Sequence, residues 1–68
     1  MQNSISVERA IFDITQEELA GQIGVSRQTI NSIEKNRYVP STILALRISA
    51  YFNKTVNELF ILDEDDYC

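Results

Sequence analysis

Apolar residues recur along the 68-residue chain at spacings of three and four, and the strict alternation of a half-buried strand is nearly absent. Each apolar run is preceded by a residue suited to starting a helix. Thr15-Gln16-Glu17-Glu18 has the form of a capping box, in which the Thr15 hydroxyl accepts from the Glu18 amide and the Glu18 carboxylate reaches back to Thr15. Ser26 precedes Ile30 and Ile33, Ser41 follows Pro40 and precedes Leu44, Ala45, Ile48 and Phe52, and Thr55-Val56-Asn57-Glu58 repeats the box. Ile5, Arg9 and Phe12 suggest one further helix before Asp13. The pattern predicts an all-α bundle of five helices, over 4–12, 16–23, 27–35, 42–52 and 56–60.

The fourth helix is apolar on more than one side (Ile43, Leu44, Ala45, Leu46, Ile48), which places it either in the bundle centre or with Ile43 or Leu46 against a second subunit. The ordered unit is expected to span 1–62. The acidic stretch that follows, 63–68, is expected to be a solvated or frayed tail.

Residues 16–35, QEELAGQIGVSRQTINSIEK, meet the demands of two helices crossing over a tight turn. Small Ala20 lets the helices approach, Gly24 can adopt positive φ at the end of the first, Val25 can tuck the turn inward, and Ser26 caps the second. Leu19 and Ile23 face inward from the first helix, as Ile30 and Ile33 do from the second. At about 100° per residue, the second helix then turns Gln28, Ser32 and Lys35 outward, with Asn31 at the edge and Arg27 on the N-terminal flank. Amides, hydroxyls and an arginine suit base edges: Gln and Asn can pair with adenine and Arg with guanine. The bland alternative is an αα-hairpin with a polar exterior.

The formal charge of −4 first argues against a polyanionic partner, but its distribution reverses that. Residues 1–25 carry −3, residues 26–54 carry +4 and residues 55–68 carry −5. Phosphate binding depends on the field of one face, so a basic middle suffices. With no histidine, a lone Cys68 and carboxylate pairs only as sequence neighbours, catalysis has no visible machinery, and neither a metal nor a cofactor is expected. No run approaches the roughly 18 apolar residues of a membrane span, so a cytoplasmic protein without membrane contact is expected.

TQEELA, GVSRQTI, SIEKNRYVPS and VNELF resemble the strings of the lambda-repressor/Cro-type helix-turn-helix family, also called the xenobiotic-response-element family. The resemblance covers about residues 15–60 and is closest to very short stand-alone regulators similar to the cytolysin repressor. It implies a prokaryotic transcriptional regulator, a repressor, built as a five-helix bundle that binds double-stranded DNA as a homodimer on a pseudo-palindromic operator. It also implies that Gln16 touches a phosphate and braces the reading helix. By the same resemblance Ser26, Arg27, Gln28 and Ser32 face the major groove, Thr29 meets phosphate, and the Asn36-Arg37-Tyr38 loop grips the backbone. Tyr38 either reaches DNA or packs on Pro40.

The chain departs from the family pattern at Glu8 and Thr42, where many members carry leucine, and at Ile43, a usually polar place. Helix one is therefore expected to pack differently or to be shorter, and Ile43 to mark a rotated helix or an interface. The expected dimer surface is Phe60, Ile61 and Leu62, with Ile43. The rival reading is a protein-interaction module, such as an antitoxin that binds a partner protein and autoregulates its operon.

Overall fold

The computed structural model describes residues 1–67. Five helices follow the expected order: α1 (Ile5–Phe12), α2 (Gln16–Ile23), α3 (Arg27–Glu34), α4 (Thr42–Phe52) and α5 (Val56–Leu59). Ser26 and Ser41 accept from the Thr29 and Leu44 amides, and both capping boxes, at Thr15 and Thr55, are complete. The ends are equally well defined. Asp13, Gly24, Asn36 and Asn53 all take left-handed backbone conformations that close the preceding helix. After α3, for example, the Asn36 amide donates to the Ile33 carbonyl and the Arg37 amide to that of Ser32, at 3.0 and 2.9 Å.

The inward faces converge on one core. Ile5 from α1, Leu19, Ala20 and Ile23 from α2, and Ile30 and Ile33 from α3 meet Leu44, Ile48 and Phe52 of α4 and Leu59 of α5. Burying such side chains contributes about 1.5–3 kcal/mol each, the main force holding so small a chain together. Phe12, Tyr51 and Phe52 extend this core as an edge-to-face aromatic group, with Phe52 5.1 Å from each of the other two.

Three expectations change. Phe60 does not end the last helix; with Ile61 it forms a strand, β2 (Phe60–Ile61), antiparallel to β1 (Gln2–Asn3). Its side chain is buried in the monomer core, which removes it from the expected dimer surface. The acidic segment is exposed but folded, because Glu64–Tyr67 form a 3-10 turn in which the Asp66 carboxylate accepts from the Asp63 amide. The Met1 ammonium lies 2.9 Å from both Asp63 and Asp66, which lowers the Asp66 pKa after the backbone hydrogen bond has done so first. Cys68 lies outside the described residues. Third, α1 keeps its length despite Glu8, which is buried and lies 3.9 Å from the Lys54 ammonium. On α4, Leu44, Ile48 and Phe52 face the core while Ile43 and Leu46 are exposed, so the outer apolar side is not in the bundle centre.

Candidate nucleic-acid interface

Ile30 and Ile33 pin the back of α3, and this fixes what the helix shows to solvent. Arg27, Gln28 and Lys35 are exposed, while Asn31 and Ser32 are half-buried at the margins of the same face. The loop after α3 turns back beside it. As a result Ser26, Gln28, Thr29 and Ser32 share a shallow depression of about 250 Å³ with Arg37 and Tyr38. Part of the expected reading face thus adjoins Arg37 and Tyr38 of the expected phosphate-gripping loop, while Arg27, Asn31, Lys35 and Asn36 lie outside the depression. Thr29 is partly committed, since its hydroxyl lies 2.9 Å from that of Ser26. Tyr38 lines the depression and is exposed.

Gln16, at the first position of α2, is held by the reading helix. Its Nε2 donates to Asn31 Oδ1 and Glu34 Oε1 at 3.3 and 3.1 Å, and its Oε1 accepts from the Arg27 guanidinium at 3.4 Å. Bracing is therefore present in the folded chain. The carbonyl side of the amide faces Arg27, and the donor side is spent inside the protein.

Two further parts of the site carried no signal in local sequence. Arg9 of α1 forms a two-pronged pair with Glu34, Nε to Oε2 at 2.6 Å and Nη2 to Oε1 at 3.0 Å, and Nη1 donates to the Ile14 carbonyl at 3.1 Å. The hydrogen bonds to Glu34 raise the Arg9 pKa further above its ordinary value. This neutralises the one acidic side chain on the reading helix. Arg47 of α4 is the other, its guanidinium lying beside Gly24 at the turn between α2 and α3.

Pairing sorts the six basic side chains by place. Among the described residues, carboxylate partners engage Arg9 and Lys54 alone. Arg27, Lys35, Arg37 and Arg47 remain without a carboxylate partner there; the first three lie on α3 or directly after it, and Arg47 reaches from α4 to the turn before it. The acidic total is therefore carried elsewhere, and the free positive charge gathers around the amide-and-hydroxyl face of α3.

Two capped helices crossing at a left-handed glycine, with the second helix polar outward, define a helix-turn-helix. The family pattern named Helix-turn-helix matches residues 5–59, and the chain belongs to that family. Among its relatives is an uncharacterized HTH-type transcriptional regulator of Methanothermobacter thermautotrophicus, 50% identical over 66 residues and covering 96% of both chains. One from Methanocaldococcus jannaschii is 44% identical over 66 residues, covering 97% of this chain and 100% of its own. One from Bacillus subtilis is 42% identical over the same length and with the same coverage. The similarity takes in the whole of α1 to α5.

Proposed function

We propose that this protein is a sequence-specific double-stranded DNA-binding regulator that represses transcription from a pseudo-palindromic operator as a homodimer. The observation that carries the reading is the placement of three unpaired cations, Arg27, Lys35 and Arg37, on α3 and directly after it, with Arg47 beside the turn before it. Phosphate contacts from Arg37 and Lys35 set register, while Gln28, Ser32 and Arg27 meet base edges. Asn31 offers its amide donors, because its carbonyl accepts from Gln16. Gln16 aims Arg27 through the hydrogen bond between them. Repression follows from occupancy, since a protein seated in the major groove blocks others from the same base pairs.

One such unit offers little contact area, whereas two can set their reading helices about 34 Å apart, one turn of DNA. Ile61, Leu62 and Ile43, exposed at 57%, 52% and 71%, are the apolar side chains for that assembly, with Leu46 added and Phe60 withdrawn. Selection of bound sequences from random duplexes tests the reading as a whole. A symmetric pair of short half-sites spaced by one helical turn is expected, and recovery of no common sequence would overturn it.

A protein-interaction role is favoured by one observation. Val7 and Ile11, one turn apart on α1, are exposed on a helix that buries Glu8 instead. Binding to a partner protein with no affinity for duplex DNA at low salt would select that role over DNA reading.

A further inference from the structure

β1 lies outside the helix-turn-helix, yet its side chains end on the reading helix. Asn3 pairs with Phe60 through the backbone, and both the nitrogen and the oxygen of its side-chain amide are engaged. Oδ1 accepts from the Ile5 amide at 3.2 Å. Nδ2 donates to the Ile33 carbonyl at 2.8 Å and to Asn36 Oδ1 at 3.0 Å. Asn36 in turn donates to Gln2 Oε1 at 3.3 Å. The backbone partners fix which way round the amide sits, because a backbone N–H can only donate and a carbonyl can only accept.

Asn36 is the left-handed residue that closes α3, its amide donating to the Ile33 carbonyl, and Arg37 follows directly with its own amide bonded to Ser32. A non-glycine residue at positive φ is held against a local steric preference. The contact from Asn3 is therefore placed where it decides the direction in which the chain leaves the reading helix.

We propose that Asn3 is a positioning residue for DNA binding. It clamps the end of α3 and the Asn36 turn so that Arg37 meets the phosphate backbone, and it ties that grip to the small sheet bearing Ile61. This rests on the reading of Arg37 as a phosphate ligand.

The test is Asn3→Asp. The carboxylate still accepts from the Ile5 amide, but it cannot donate to Ile33 or Asn36 and sets negative charge against the Ile33 carbonyl oxygen. Asn3→Ser, which keeps an acceptor for Ile5, is too short to reach Asn36 and adds no charge, is measured beside it, so that an affinity loss shared by both variants reports the lost clamp and not the Asp charge. Amide hydrogen exchange without DNA is expected to quicken at Asn36 and Arg37 while α1 amides keep their wild-type rates. Fluorescence anisotropy is expected to show affinity for operator and scrambled duplexes alike falling about five- to tenfold, the loss of one or two hydrogen bonds. The slope of log affinity against log salt should become shallower by about one unit, with the preference for the operator retained.

A merely structural role would lower the melting temperature and leave affinity and salt slope of the folded protein unchanged, and that result overturns the proposal. So does wild-type exchange at Asn36 and Arg37. If the unsubstituted chain ignores duplex DNA at low salt, the DNA reading fails on its own, while quickened exchange would still show the clamp.

Discussion

Replacing Arg9 with methionine keeps most of the aliphatic stem and removes every donor, which isolates the work of the guanidinium. In the wild type its two contacts to Glu34 are 2.6 and 3.0 Å, and the Glu34 side chain is only 8% exposed. After substitution that carboxylate keeps only the Gln16 amide as a donor, at 3.1 Å. Removing one member of a buried pair costs about 3–5 kcal/mol, and because Arg9 is partly solvated the lower end, about 3 kcal/mol, applies. A chain of this length has about 3–10 kcal/mol of total stability, so the loss is a large share of it.

At about 4–8 °C per kcal/mol for so small a domain, the melting temperature should fall by about 12–24 °C in circular dichroism. The double variant Arg9→Met/Glu34→Met removes the orphaned carboxylate as well and should recover at least half of that loss. The reasoning is refuted if Arg9→Met melts within about 4 °C of wild type, the shift that one kcal/mol produces. It is refuted equally if the double variant is no more stable than the single one.

Other consequences can be checked as directly. Gly24→Ala places a Cβ 3.5 Å from the Arg47 guanidinium, an ordinary contact, so its cost is the backbone at φ 87°. A loss of about 1–2 kcal/mol in denaturant unfolding is expected, and a neutral result would show that the turn relaxes. The Glu58 pKa is lowered chiefly by its hydrogen bond from the Thr55 amide, then by the Thr55 hydroxyl and by Lys54. A carboxyl depressed by folding stabilises above its unfolded pKa and loses that contribution as pH falls through its folded pKa. The advantage of wild type over Glu58→Gln in melting temperature should therefore be present at neutral pH and vanish in acid, and a pH-independent gap would contradict the capping-box assignment. Ile61→Lys should shift the protein toward monomer in sedimentation equilibrium, and a wild type that is monomeric while binding its operator would remove the dimer.

The helices were legible because each has a chemical start written locally. Thr15, Ser26, Ser41 and Thr55 all cap as their spacing implies. Their ends were less so. Gly24 announces a left-handed residue, but Asp13, Asn36 and Asn53 do the same task with side chains that are equally common in ordinary turns. The outward face of α3 followed from two isoleucines and helical geometry.

What escaped was long-range. Arg9 and Glu34 are 25 residues apart, and Asn3 and Ile33 are 30 apart, so no periodicity links them. A two-residue strand is too short to alternate, and Phe60 therefore read as helix and as interface when it is core. The exposed Ile43 and Leu46 resolve the ambiguity of α4, since only three-dimensional packing says which apolar side is covered.

The central claim is most directly measured by titrating wild type, Gln28→Ala and Arg37→Ala against a selected operator and a scrambled duplex over a range of salt. Gln28→Ala should lose about 1–3 kcal/mol on the operator alone. Arg37→Ala should weaken binding to both duplexes and flatten the salt slope by about one unit. An operator preference unchanged in Gln28→Ala, or a wild type that binds neither duplex at low salt, would contradict the account.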